Sequence, residues 1–162
     1  MRLVVWTLII VCTTVIQATI IPLLSIKGVS PDLLLIVVVS ASLLYGKDHG
    51  VGIGFFAGLV QDLASGNIFG VNTLSKLSIG YLFGLAERKV FKEHILLPVL
   101  AVAVATVMSG LFAILLLMLL GCKIDFVSAL INRVFSAVFY NMLFSIPIHK
   151  AIYHLNKRLN KA

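Results

Sequence analysis

The chain alternates between long hydrophobic stretches and short polar segments. Leu3 to Ile26 carries no charged residue, and Ile95 to Cys122 forms a second uncharged run. A helix needs about 20 apolar residues to cross a bilayer, so both runs are long enough. The first run exceeds the hydrophobic region of a signal peptide, and no Ala-x-Ala cleavage site follows it. We therefore interpret it as a retained first helix.

The remaining hydrophobic segments predict four further helices. Ser30-Pro31 matches an N-cap followed by a proline at the first helical position. The segment from Gly50 to Ala86 is interrupted by charges and by a Gly-Asn pair, which favours two helices joined by a tight turn. A re-entrant pair that does not cross fully is the alternative. The predicted helices cover residues 3–24, 31–46, 50–64, 69–86, 95–121 and 126–148, before a basic tail at 149–162.

Composition agrees with an all-α polytopic membrane protein. Of the 162 residues, 60% are hydrophobic and 12% are charged, whereas soluble domains average about 25% charged residues. A soluble fold of this size lacks the polar surface to cover so many apolar side chains. Six helices would use about 120 residues, which leaves no room for a separate soluble domain.

Lysine and arginine are concentrated on one side of the predicted bundle. The opposite loops hold only Lys27 and Lys123. The positive-inside rule then places both termini in the cytoplasm. Nucleic-acid binding is not expected, because the charges are spread over short turns. The cytoplasmic basic residues are Arg2, Lys47, Arg88, Lys89, Lys92, Lys150, Lys157, Arg158 and Lys161.

Glycine is the most regularly spaced residue. Glycines occupy every fourth position from Gly46 to Gly58, and two further pairs with the same spacing follow, Gly66/Gly70 and Gly80/Gly84. Small residues at this spacing let transmembrane backbones approach closely. We expect this glycine ladder to pack helices three and four together, to dock another membrane protein, or both. The candidate residues are Gly50, Gly54, Gly58, Gly80 and Gly84.

Four charged residues form a candidate buried polar network. Asp62, Lys76 and Arg133 lie well inside predicted spans, and Asp32 begins a helix on the same outer side. Charges at such depth normally pair or line a polar cavity. We expect an Asp62–Lys76 ion pair across the tight turn, and we expect Arg133 to pair with Asp32 or Asp62. Structural pairing, a site for an ion, proton or ligand, and contact with a partner all remain open.

Catalytic chemistry finds little support in the sequence. It has no Ser/His/Asp order and no glycine-rich phosphate cradle. His149 and His154 are five residues apart, the wrong spacing for two metal ligands on one helix face. Cys12 and Cys122 are predicted at different depths, which argues against a disulfide. We expect neither an enzyme nor a bound metal or cofactor.

The tail carries Ile152, Leu155 and Leu159 on one helical stripe, beside basic residues. Such a segment can lie on anionic membrane lipid. A simple positive-inside anchor is the alternative interpretation.

Helices two to four also carry a set of motifs. A Pro-Asp-Leu start covers Pro31 to Leu35, and a Gly-Phe-x-x-Gly-Leu-x-x-Asp segment covers Gly54 to Asp62, followed by Gly70 and Gly80-Tyr81. This set resembles the rod shape-determining protein MreD family. The length, the six segments and the cytoplasmic termini fit that family as well. Lys76 and Arg133 have no assigned family position.

The resemblance implies a non-enzymatic component of the bacterial elongation machinery. Members of the family pair with MreC, a single-span protein with a periplasmic domain, and work alongside MreB, RodA and its partner transpeptidase in lateral peptidoglycan synthesis. The resemblance also implies a fold similar to the substrate-binding subunits of energy-coupling-factor transporters. Since the loops are short, we expect partners to contact helix faces, and we expect the region from Gly50 to Gly84 to support a groove for the MreC helix.

A vitamin-binding subunit of such a transporter is the alternative function. Those proteins usually carry an Ala-x-x-x-Ala face on helix one, and none occurs between Leu3 and Leu24. A vitamin site would also need polar groups that converge beneath an outer lid. The available polar residues are Gln17, Asn72, Lys76 and Asn141.

Overall fold

A computed structural model describes residues 2–25, 29–66, 68–86, 96–122, 125 and 130–159. These residues confirm the predicted all-α fold with six helices. The helices are α1 (Arg2–Thr19), α2 (Leu33–Tyr45), α3 (Lys47–Ser65), α4 (Val71–Leu85), α5 (Leu96–Leu119) and α6 (Ser136–Leu159). A 3-10 turn, Ile21–Leu24, follows α1, and a π-helical segment, Leu130–Phe135, leads into α6.

Helix α2 is the centre of the bundle and contacts all five other helices. Its sequence is apolar on every side, as expected for a helix enclosed by others. One side packs against α4 and α5 through residues such as Ile79 and Val102. The other side packs against α1, α3 and the end of α6 through Trp6, Ile53 and Ile152. The two halves of the core therefore meet at α2.

Several predicted boundaries differ from the structure. Helix α1 ends at Thr19 rather than at residue 24, and the N-cap of α2 is Asp32 rather than Ser30. Helix α3 begins at Lys47 rather than Gly50, and only Gly46 separates it from α2. Gly46 has a backbone φ angle of 85°, a conformation that glycine adopts without strain. Helix α6 continues to Leu159, so most of the predicted tail consists of its last turns. Ile152 is only 4% exposed there, because it packs into the core beside α1 and α2.

The described surface suits a lipid environment. Two segments, Val4–Leu23 and Leu96–Leu119, are long and apolar enough to cross a membrane, whereas α2 is apolar but shorter. Large apolar side chains also cover the outside of the bundle, including Phe56, Leu119 and Phe139. Soluble monomers rarely expose so much contiguous apolar surface. The exposed faces are therefore the ones that lipid or partner helices would contact.

Candidate functional site

The glycine ladder brings the backbones of α3 and α4 into direct contact. A Cβ atom added at Gly54 would overlap the carbonyl group of Lys76, and one added at Gly58 would overlap the backbone of Thr73. Gly50 and Gly80 face each other in the same way. Such close approach gains van der Waals contact between helices that have no hydrophobic driving force in lipid.

The ladder side of α3 is thus already occupied by α4. A Cβ atom added at Gly84, on α4, would likewise overlap the backbone of Lys47. A partner helix could use the ladder only if α3 and α4 separated. Gly52 differs, because no atom lies within 4 Å of where its Cβ atom would be.

Asp62 caps the N-terminus of α4 from the neighbouring helix. Its carboxylate accepts hydrogen bonds from the backbone N–H groups of Gly70, Asn72 and Thr73, at 3.0, 3.1 and 2.9 Å. The side chains of Asn72 and Thr73 donate two more. These backbone donors have no partner within the helix, and a negative charge there also interacts favourably with the helix dipole.

The expected Asp62–Lys76 pair is therefore wrong. Lys76 pairs instead with Asp32, with Nζ 2.6 Å from Oδ2, and the lysine side chain is only 1% exposed. The tight turn directs the Asp62 carboxylate to the first residues of α4, whereas Lys76 is further along that helix and meets α2. The side chain of Arg133 lies outside the described residues, as does its expected pairing.

The N-terminus of α2 is held by three side chains from different parts of the chain. Asp32 Oδ1 accepts from the N–H of Leu35 at 2.9 Å, and Gln17 Oε1 accepts from the N–H of Leu34 at 3.1 Å. Asn141 Oδ1 accepts from the N–H of Asp32 at 2.8 Å. The ion pair and these caps together form what we call the α2 polar network.

Asn141 extends this network to α5. Its Nδ2 donates to Thr106 Oγ1 at 2.9 Å, and both side chains are buried. A hydroxyl–hydroxyl hydrogen bond of 2.9 Å between Ser75 and Ser109 also joins α4 to α5. A small cavity of about 180 Å³ lies beside Asp32, Thr106 and Asn141. The network thus ties four helices to the start of α2.

The sequence indicated that Asp32, Asp62 and Lys76 need partners, but it did not indicate the structural role of the neutral polar residues around them. Under the alternative function, Gln17, Asn72 and Asn141 are groups available to a vitamin, whereas in the structure each bonds to protein backbone or side chains. The available signal was a single amide within an otherwise apolar helix, since such a group must find a partner. Thr106 gave no comparable signal, because its hydroxyl can bond to the carbonyl of Val102 in its own helix.

The arrangement serves helix positioning rather than an evident reaction. Among the described residues, no group of three His, Cys, Asp or Glu side chains is placed to hold a metal ion. Cys12 and Cys122 are both free thiols. The polar side chains of the site instead satisfy helix ends and one another, as buried groups in an apolar medium must.

Comparison with known proteins identifies the family. No curated protein and no solved structure matches the chain significantly. The family model described as rod shape-determining protein MreD matches residues 1–159. That match covers almost the whole sequence, and the chain therefore belongs to the MreD family of rod shape-determining proteins.

Proposed function

We propose that this chain is a non-enzymatic membrane component of the elongation machinery that binds an MreC-like single-span protein. Through that partner it helps regulate lateral peptidoglycan synthesis, and hence rod shape. The observation that carries this proposal is the family match over residues 1–159. The structure supports a scaffold role, because the buried polar groups of the site hold helices together and the exposed faces are apolar.

We propose that all six helices cross the inner membrane and that both termini are cytoplasmic. Helix α3 has 19 residues, which corresponds to about 28 Å at 1.5 Å per residue and approaches the thickness of the hydrocarbon core. Helix α2 has 13 residues, but its neighbours enclose it, so its ends need not reach lipid. We also propose a fold similar to the substrate-binding subunits of energy-coupling-factor transporters, because the family resemblance implies it.

We propose that the end of α6 contacts the cytoplasmic leaflet. Lys150, Lys157 and Arg158 are exposed there, while Ile152 anchors the same turn to the core. Basic side chains near a membrane surface are attracted to anionic lipid. MreB, RodA and the partner transpeptidase of RodA would join this assembly directly or through the MreC-like protein.

The vitamin-binding alternative gains no support from the site. The amides available to a vitamin already cap helices or bond to side chains. A vitamin that used them would have to replace several buried hydrogen bonds, each of which is expensive to leave unmade.

Depletion in the native cell combined with affinity capture tests the proposal. We expect rods to become round as the protein is depleted, and an affinity-tagged chain to restore their shape and to co-purify with an MreC-like protein. Depleted cells that re-express the untagged chain are the control for capture. Rods that keep their shape after depletion, or capture without the MreC-like protein, would contradict the proposal.

A further inference from the structure

An apolar groove runs between α1 and α3, on the side of α3 that faces away from the glycine ladder. It encloses about 490 Å³ and is lined by Trp6 and Ile10 from α1 and by Gly52 and Phe56 from α3. Trp6 and Ile10 are themselves buried in the core and form a firm wall. Phe56 is 57% exposed and forms the opposite edge.

Gly52 lies at the bottom of this groove and leaves space for the close approach of another helix. Three other glycines of α3, Gly50, Gly54 and Gly58, are covered by α4 or α2, whereas nothing lies within 4 Å of the Cβ position of Gly52. In a bilayer, helices associate mainly by close packing at small residues, because lipid tails are as apolar as the side chains. An acyl chain needs no such glycine, since it adapts to any apolar surface.

Asp48 supplies charge complementarity at one end of the groove. It is exposed, lines the cavity and lies in the first turn of α3. The ion pair found in the described part of the chain joins Lys76 to Asp32, so the Asp48 carboxylate is not paired by a basic residue there. In the proposed orientation this end is cytoplasmic, which is where a membrane-spanning helix carries its lysines and arginines.

We propose that the α1–α3 groove receives the transmembrane helix of a single-span membrane protein, whose basic cytoplasmic flank pairs with Asp48. This inference rests on the proposed function, because it assumes a single-span partner. It places the docking face on the opposite side of α3 from the glycine ladder.

Two leucine substitutions on the same helix test the groove. Gly52→Leu fills the bottom of the groove, while Ala64→Leu places the same apolar side chain at an exposed position outside the groove. We expect Gly52→Leu to lower recovery of the co-expressed MreC-like partner about tenfold or more, which corresponds to about 1.4 kcal/mol. Ala64→Leu should leave recovery unchanged. Both variants should keep the membrane level and detergent elution volume of the unaltered chain, because the Cβ position of Gly52 is open and Ala64 is exposed.

Charge exchange tests the polar end of the same groove. Asp48→Lys should reduce partner recovery, and replacing a basic flanking residue of the partner with aspartate should restore it. A photo-crosslinking amino acid at Phe56 should capture the partner helix, whereas one at Leu115, exposed on α5, should not.

Distinct results would overturn this inference and the proposed function. If the partner co-purifies equally with Gly52→Leu, or crosslinks from Leu115 instead of Phe56, the groove assignment is wrong and partner binding stands. Crosslinking of Phe56 to lipid alone would assign the groove to an acyl chain. If the partner fails to co-purify with the unaltered chain, both the groove and the proposed function fail.

Discussion

The Asp62 carboxylate lies where the first N–H groups of α4 have no acceptor within their own helix. Asp62→Ala would leave these donors unpaired inside the bundle, and each orphaned group costs about 1–3 kcal/mol. We expect this variant to lower the free energy of unfolding by about 3 kcal/mol or more, and Asp62→Asn to have a smaller effect because one acceptor oxygen remains. Thermal unfolding of purified protein in detergent would measure both.

The exposed Asp48 on the same helix provides the control for Asp62. Asp48→Asn should lower the free energy of unfolding by at most about 1 kcal/mol, the contribution of an exposed carboxylate in the first turn of a helix. Equal melting temperatures for Asp62→Ala and Asp48→Asn would show that the cap contributes little. A well-folded Asp62→Asn protein that no longer supports rod shape would instead point to a role beyond capping.

The Lys76–Asp32 pair allows a double-variant test of a buried charge. Lys76→Met leaves the Asp32 carboxylate without its cation, and breaking such a pair typically costs about 3–5 kcal/mol. Asp32→Asn combined with Lys76→Met removes both charges and keeps an oxygen that can accept from Leu35. We expect the double variant to unfold at a higher temperature than Lys76→Met alone. A double variant no more stable than the single one would contradict this account.

For individual residues, the sequence shows which side chains need partners, but it does not identify the partners. Asp62 and Lys76 had to be satisfied, because isolated charges do not face lipid. The pairing of nearest charges along the chain was wrong, since Asp32 is 44 residues from Lys76 in sequence. Which side chains meet depends on helix rotation, and the packing of the whole bundle sets that rotation.

Among the elements, α3 carries glycines with two different roles. A Cβ atom at Gly54 would overlap the backbone of Lys76, whereas the Cβ position of Gly52 is open. Gly54→Ala should therefore force α3 and α4 apart and destabilise the protein by about 2 kcal/mol or more. Gly52→Ala should be neutral or stabilise by up to about 1 kcal/mol, because alanine reduces the entropy of the unfolded chain.

Melting temperatures of the two alanine variants, measured side by side in detergent, test this distinction. A loss of stability in Gly52→Ala as large as that in Gly54→Ala would mean that the groove side of α3 is packed. Unchanged stability in both would mean that the ladder does not require glycine.

The sequence predicted the existence of the elements better than their ends. Hydrophobic runs located all six helices, because each run must be helical in lipid. The start of α3 was missed, since the turn requires only Gly46 and leaves Lys47 and Asp48 free to join the helix. The end of α6 was missed because the basic residues beside Ile152 indicated a surface tail, whereas Ile152 belongs to the core.

At the scale of the whole molecule, the central position of α2 explains its shortness. A helix of 13 residues spans about 20 Å, less than the hydrocarbon core of about 30 Å. Composition alone could not show that this helix is enclosed by five others. The polar network at its N-terminus therefore lies against protein, and in the proposed six-span arrangement this explains why charge is tolerated at that depth.

The position of the α3–α4 turn relative to the membrane distinguishes a full crossing of both helices from a re-entrant pair. Phe69 is exposed in this turn, and Lys150 is exposed near the far end of α6. After serine replaces Cys12 and Cys122, single cysteines can be placed at either position. If both helices cross, Phe69→Cys should react with a membrane-impermeant maleimide added to intact spheroplasts. Lys150→Cys should react only after permeabilisation.

The expected crossing of both helices follows from the length of α3 and from its packing against α4. Helix α3 is long enough to bring the turn to the outer surface, and the glycine contacts keep α4 alongside it on the return. A re-entrant pair would end within the hydrocarbon layer, where the maleimide does not enter. Labelling of Phe69→Cys only in permeabilised cells would contradict the proposed topology, because it would place the turn on the cytoplasmic side together with the end of α6.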